Sequence, residues 1–238
     1  MCRMIFAFGR NLEVDLLIDD FLVMARDQNE YHERNRGVKG GILHKDGWGV
    51  SYLVNDKWKL EKSIKPCYED QKFLALKPEL KKAQAIMIHA RHASSGSIAL
   101  ENTHPFRGIV GGTEYFFCHN GSIEKKDWDK FEYFLEPKGN GDSERLFSHL
   151  LNGKISKDGI SNSFSIFNNY SALNFILVQK NRVFTATWFK KQMPLYYQMK
   201  IIRLSAVTII SSEILKSFGK ESDWKRFEDK KIIEEGFV

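Results

Sequence analysis

The chain has 238 residues, 42% hydrophobic and 13% aromatic, enough apolar surface for one folded domain with a substantial core. Five prolines and 17 glycines are too few for a collagenous or low-complexity chain. The formal charge of +6 comes from 36 Lys and Arg against 30 Asp and Glu; the two signs interleave, as in Glu79-Leu80-Lys81-Lys82, which excludes a basic nucleic-acid stripe and leaves a solvated face.

The elements follow in chain order. Cys2 to Phe8 is an apolar run stopped by Gly9 and predicts a strand almost at the first residue. Leu12 to Asp27 has helical period, with Leu12, Leu16, Asp19, Asp20 and Val23 sorting onto opposing faces. Residues 28–45 are polar, carry Gly37, Gly40 and Gly41, and predict a surface loop near a site. Gly49–Val54 and Lys57–Glu61 form a hairpin about Asn55-Asp56. Residues 68–82 predict a helix interrupted near Pro78. Ile86–Arg91 and Glu114–Cys118 are strands. Helices follow over about Lys126–Leu135 and Ser143–Asn152, the latter stopped by Gly153. Strands at Ala172–Gln179, Arg182–Phe189 and Val207–Ser211 complete the chain, the first two joined at Lys180-Asn181. No repeat or linker divides the sequence, so one domain over 1–238 is expected. Elements grouped in blocks, rather than strictly alternating, favour antiparallel sheets covered by helices, an α+β layered fold.

Three cysteines, Cys2, Cys67 and Cys118, without a Cys-x-x-Cys pair, argue against a disulfide framework or a zinc knuckle. Early charges at Arg3, Arg10, Glu13 and Asp15 argue against a secretory signal, and no apolar run approaches membrane-spanning length. A cytoplasmic setting fits. His89, His92, His104 and His119 follow no metal-binding spacing, and phosphate-binding glycine motifs are missing. The sequence therefore predicts neither metal nor cofactor, and neither a nucleic-acid nor a membrane partner.

Five short segments carry possible chemistry. Cys2, once Met1 is removed, combines a thiol and a free α-amine on one residue. These groups titrate near ~8.5 and ~8, so the amine can accept the thiol proton. Alternatively, it is an inert cysteine near a chain end. Arg91, in Ile88-His89-Ala90-Arg91-His92-Ala93-Ser94, can fork around a carboxylate with the Ser94 hydroxyl in support, or pair structurally with an acid. Asn120-Gly121 reads either as a tight turn or as an oxyanion hole made of a side-chain amide and a closely approaching backbone N–H. Asp142, in Gly141-Asp142-Ser143-Glu144, is a natural helix N-cap, a carboxylate for a substrate ammonium, or both. His104, followed by Pro105, belongs in a pocket wall.

The order of these segments is more specific than any one of them. Cys2, Asp46-Gly47-Trp48-Gly49, His89-Ala90-Arg91-His92-Ala93-Ser94, Asn102-Thr103-His104-Pro105, His119-Asn120-Gly121 and Gly141-Asp142-Ser143-Glu144 together resemble the class II glutamine amidotransferases, in particular their small single-domain branch beginning Met-Cys-Arg. Ser212-Glu213 and Trp224 resemble the family's closing segment more loosely. The resemblance implies a four-layer αββα N-terminal-nucleophile (Ntn) hydrolase sandwich. It implies Cys2 as nucleophile and, through its amine, base; Asn120 and Gly121 as oxyanion hole; Arg91 and Ser94 for the substrate α-carboxylate; Asp142 for the α-ammonium; and His104 in the substrate pocket. His92 stands where many synthase-linked members have tryptophan, Ser94 where threonine is usual, and Ile214 at an often-proline position. The first two touch the pocket, so the resemblance speaks for the γ-glutamyl class more than for glutamine itself.

The expected reaction is cleavage of a γ-glutamyl amide through a Cys2 thioester, releasing glutamate with ammonia or an amine. Ammonia would pass to a separate synthase subunit; alternatively the chain hydrolyses γ-glutamyl thiols or peptides. A reading of another class is a catalytically silent, ligand- or partner-binding domain of the same fold, which a retained Met1 would favour because it blocks the amine of Cys2.

Overall fold

In the computed structural model, residues 2–39, 41–190 and 192–237 are described, and they form two antiparallel sheets. Strands are numbered in chain order. The first sheet takes β1 (Arg3–Gly9), β2 (Trp48–Val54), β3 (Lys57–Ser63), β4 (Ala85–Ala90), β9 (Lys200–Arg203), β10 (Val207–Ser211) and β11 (Lys225–Arg226), in the order β11-β9-β10-β1-β4-β2-β3. The second takes β5 (Phe106–Val110), β6 (Thr113–Ile123), β7 (Tyr170–Gln179), β8 (Arg182–Thr187) and β12 (Lys231–Gly236), in the order β12-β8-β7-β6-β5.

Side-chain alternation explains why the sheets stack. Along β1, Met4, Phe6 and Phe8 enter a core shared with Phe116, Cys118 and Ile176 of the second sheet. Ile5 and Ala7 point the other way, into a core with α1 (Val14–Ala25). A central strand buried on both faces reads as the continuous apolar run seen in the sequence. The short helices α2 (Gln71–Leu74) and α3 (Lys77–Leu80) add Phe73 and Leu80 to the α1 side. On the outer face of the second sheet, α4 (Asp142–Asn152) and α5 (Lys157–Ser165) pack Leu146, Phe147, Leu150, Ile160 and Phe164 onto Phe117, Leu173 and Phe175. The order of layers is helix, sheet, sheet, helix, as the resemblance implied. A sixth helix, α6 (Pro194–Tyr197), lies near the site. Among the described residues no helix is long and apolar enough to cross a membrane.

Several expectations need correction. The buried stripe of α1 is Val14, Leu17, Ile18, Phe21, Met24 and Ala25, while Leu16 and Val23 are exposed. The break in 68–82 falls before Pro78, which sits in the first turn of α3, where its missing N–H costs nothing. The helix expected over 126–135 is only a 3₁₀ turn at Lys125–Lys130, within which the Asp127 carboxylate accepts from the Asn168 and Asn169 backbone N–H groups. β5, β9, β11, β12, α5 and α6 had no expectation attached. The hairpin about Asn55-Asp56 is present, with both residues at positive φ (50° and 58°) as a tight two-residue turn requires.

Candidate active site

The start of β1, the residues after β4, the last residues of β6 and the start of α4 meet at one narrow cavity. It is lined by Cys2, Arg91, Ser94, His104, Gly121 and Asp142, among others. Asn120 joins from below: the backbone nitrogen of Cys2 donates to Asn120 Oδ1 at 3.0 Å. All seven residues expected at a site from the sequence are therefore brought together.

β1 pairs with β4 so that Arg3 lies opposite Ala90, which sets Cys2 beside the chain leaving β4. The Cys2 Sγ is 3.9 Å from the His92 carbonyl, and Cys2 is 7% exposed. The other two thiols are unsuited to nucleophilic work. Burial pushes Cys67 up to about 12 and also raises Cys118, so both stay protonated at neutral pH.

Asn120 is not in a turn. β6 runs straight through Asn120 and Gly121, paired with Asn174 and Leu173 of β7, and the register shifts only between Gly121 and Ile123. The tight-turn reading is thus overturned, since the strand continues past the dipeptide. Gly121 is demanded by space: a Cβ there would sit 1.9 Å from the Ala172 carbonyl oxygen. With Oδ1 occupied by Cys2, Asn120 Nδ2 is buried and has no partner among the described residues. Such an unpaired buried donor costs ~1–3 kcal/mol.

Among the described residues Arg91 does not pair with an acid. Its guanidinium donates to the Ser97 carbonyl at 2.9 Å, the Ser95 carbonyl at 2.9 Å and the Gly96 carbonyl at 3.2 Å. Ser94 is exposed at the rim. The remaining space is about 20 Å³, room for about one water. Carbonyls of the loop after Arg91 therefore occupy its guanidinium.

Asp142 is the first residue of α4, not its cap, which is Gly141. Its Oδ2 accepts from the Ile123 backbone N–H at 2.6 Å, while Oδ1 has only the Ser143 hydroxyl at 3.4 Å. Beside it, His119 Nε2 donates to the Ala172 carbonyl, and Nδ1 lies 2.9 Å from the Ser143 hydroxyl. His104 packs on His89 with ring centroids 4.1 Å apart, and both its ring nitrogens are buried without partners. Burial holds His104 well below the usual histidine range and His89 down at about 3, so the wall is neutral.

Two further parts of the site were quoted in the sequence without a role. The Asp46 side chain accepts from the Ala93 N–H at 2.8 Å, the Asp46 N–H donates to the Arg91 carbonyl at 2.9 Å, and the Arg91 N–H donates to the Gly47 carbonyl at 2.8 Å. Gly49 allows the His104 carbonyl to approach, since a Cβ would meet it at 2.1 Å. Asn102 ties the Ser97 carbonyl, Asn140 Oδ1 and the Gly141 N–H together. Asn174, missed entirely, faces Asn120 across the ladder, with its amide bonded to the Tyr197 carbonyl and its Oδ1 to the Trp188 N–H. A lone Asn in an apolar strand was the available signal.

Asp27, His32 and Glu213 have donor atoms close enough to surround a cation. Arg3 Nη2 fills that point, 3.2 Å from Asp27, 2.7 Å from His32 and 2.6 Å from Glu213. A wider cleft of about 510 Å³, lined by Asn29, His32, Lys216 and Arg226 among others, has no cysteine, serine or threonine in its lining.

The model of the family described as "Glutamine amidotransferases class-II" matches residues 31–187. The chain is 32% identical over 108 residues to the putative glutamine amidotransferase YafJ of Escherichia coli, covering 45% of this chain and 42% of that protein. It is 23% identical over 244 residues to the gamma-glutamyl-hercynylcysteine sulfoxide hydrolase of Mycobacterium tuberculosis, covering 98% of this chain and 92% of the relative. The chain thus spans under half the length of YafJ and of a similar Haemophilus influenzae protein, 42% and 36% respectively. The solved glutamine phosphoribosylpyrophosphate amidotransferase from B. subtilis superposes with a TM-score of 0.61 at 16% identity, over 100% of this chain and 49% of that one. With the family match spanning well over half its length and the layered fold shared, the chain belongs to the class II glutamine amidotransferases.

Proposed function

We propose that this chain hydrolyses γ-glutamyl amides through a thioester on Cys2 after loss of Met1, a residue that lies outside those described. The observation that carries the reading is the division of labour on one amide. Asn120 Oδ1 holds the Cys2 nitrogen, and Nδ2 stays unpaired and buried. That is what a site needs when it fixes a nucleophile's base and keeps a donor for charge that develops only during reaction.

In the reaction the α-amine takes the thiol proton, and Sγ attacks the γ-carbonyl carbon. The oxyanion is met by Asn120 Nδ2 and the Gly121 N–H. The carbon–nitrogen bond breaks as the α-ammonium returns its proton to the leaving nitrogen. Water then attacks the thioester, its proton passes to the amine, and Sγ leaves with glutamate formed. Arg91 grips the substrate α-carboxylate and Asp142 the α-ammonium, with Ser94 at the rim. To do so, Arg91 exchanges the carbonyls of Ser95 and Gly96 for the carboxylate, and the 94–97 segment moves outward to enlarge the cavity. His104 shapes the wall as a neutral ring.

Ammonia delivered to a separate synthase subunit and direct hydrolysis of a larger γ-glutamyl amide share this chemistry. The hydrolase named among the relatives matches this chain over nearly its full length, which supports the second. The test is a kinetic panel on protein whose intact mass shows Met1 removed, comparing glutamine, glutathione and other γ-glutamyl amides, with Cys2→Ala as the blank. Turnover is expected only with Cys2. No turnover, together with no labelling of Cys2 by a glutamine-analogue electrophile such as 6-diazo-5-oxonorleucine, leaves the silent-domain reading standing.

A further inference from the structure

Close to Cys2, but outside the cavity that holds Arg91 and Asp142, lies a second set of polar groups that the reaction above does not use. The Arg34 guanidinium stands 5.5 Å from the centre of the Tyr196 ring. Its Nε is buried without a partner, and among the described residues it has no carboxylate to pair with. The neighbouring Glu33 is committed elsewhere, accepting from the Leu195 and Tyr196 backbone N–H groups at 3.1 Å each. That capping clamps the loop to α6 and sets Arg34 against Tyr196. Tyr196 is 2% exposed, and its hydroxyl also has no partner. The carbonyl of the next residue, Tyr197, accepts from Asn174 Nδ2 at 2.6 Å, and Asn174 lies opposite Asn120, whose Oδ1 holds the Cys2 nitrogen; the His92 carbonyl lies 3.9 Å from the Cys2 sulfur. The other cation on the Tyr196 ring, Arg3, is already neutralised by Asp27 and Glu213. Arg34 is the spare charge.

We propose that Arg34, with the Tyr196 hydroxyl, binds a carboxylate carried by the leaving amine, so that the substrates are γ-glutamyl amides of amino acids or peptides rather than glutamine. This rests on Cys2 being the nucleophile. Arg91 and Asp142 hold the glutamyl head on one side of Cys2; the leaving group points away from them, toward His92, Arg34 and Tyr196. A planar guanidinium backed by an aromatic face presents its edge to a carboxylate, and glutamine, which releases ammonia, offers nothing there.

γ-Glutamylalanine and γ-glutamylethylamide differ only by that carboxylate. For the full chain with Met1 removed, kcat/KM is expected to favour γ-glutamylalanine at least tenfold, with glutamine grouped with the ethylamide. Arg34→Gln is expected to bring the ratio to within about twofold, and Arg34→Lys to restore part of it, with unfolding midpoints confirming that the variants fold. A wild-type ratio near one overturns the proposal while leaving Cys2 chemistry intact, and needs no variant. A ratio unchanged in Arg34→Gln overturns Arg34 as the reader. If neither compound is hydrolysed, this substrate class is wrong; if Cys2 also resists 6-diazo-5-oxonorleucine, the nucleophile assignment falls with it.

Discussion

In the proposed reaction Asn120 serves two atoms with one side chain. Its oxygen holds the nitrogen of Cys2, and its NH₂, buried without a partner among the described residues, is the donor proposed for the oxyanion. Asn120→Ala is therefore expected to lower kcat by ~10²–10³-fold, with a parallel fall in the rate of Cys2 acylation because the amine loses its anchor. Asn120→Asp keeps the oxygen and removes the donor. If the oxyanion role dominates, it should be about as slow as the alanine variant in single-turnover kinetics; recovery to near wild type would assign Asn120 to anchoring alone. At this scale the sequence was informative about identity and misleading about geometry. Cys2, Arg91, Asn120 and Asp142 were recognisable from the order of their motifs. Nothing local, however, distinguished an Asn-Gly turn from an Asn-Gly strand, because the choice is made by pairing with Asn174 and Leu173, some fifty residues away. The three carbonyls that occupy Arg91 were equally hidden, since backbone acceptors carry no residue signature.

Among the elements, β1 has the most at stake, because it carries the proposed nucleophile at its head. Arg3, the next residue, is wholly buried and joins β1 to Asp27 just past α1, to His32 in the following loop and to Glu213 after β10. Breaking such a buried group by removing one partner costs ~3–5 kcal/mol, because the carboxylates are left uncompensated. Arg3→Ala is expected to lose stability of that size in urea unfolding; a loss under 1 kcal/mol would mean that the carboxylates protonate or reach solvent instead. The apolar strands and the amphipathic α4 were legible because burial on both faces, or on one stripe, writes a period into the sequence. β5 and β12 were not. β5 is an edge strand with Gly108 at its centre, where a Cβ would strike Leu151, Leu135 and Phe147 at 2.9–3.1 Å. β12 is the opposite edge, and its Glu234 and Glu235 pair with Arg182 and Arg203 rather than entering a core. Edges need partners more than they need a pattern.

For the molecule as a whole, the unusual feature is that four of its seven histidines are kept neutral inside it. His44, His89, His104 and His119 are all nearly inaccessible, and burial lowers each of them, His89 to about 3. In the unfolded chain they titrate near ~6.5. Below that pH the unfolded chain binds protons that the folded one refuses, so stability is complete above ~6.5 and falls as the pH drops toward the depressed folded values. Each fully refused proton costs ~1.4 kcal/mol per pH unit. Asp27 and Asp127, whose folded values are also lowered, begin to contribute only below ~3.8, so the interval from pH 6.5 to pH 5 belongs to the histidines. Urea midpoints are expected to fall steeply across it. His104→Phe is the discriminating variant, since His104 has two unpartnered nitrogens and ring contacts to His89 and Phe106 that a phenyl group can keep. Its stability should decline more gently, by ~1.4 kcal/mol per pH unit. Equal slopes for the two proteins would show that the folded wild type accepts the proton at His104, and that the wall of the cavity is not the dry, uncharged surface its burial describes.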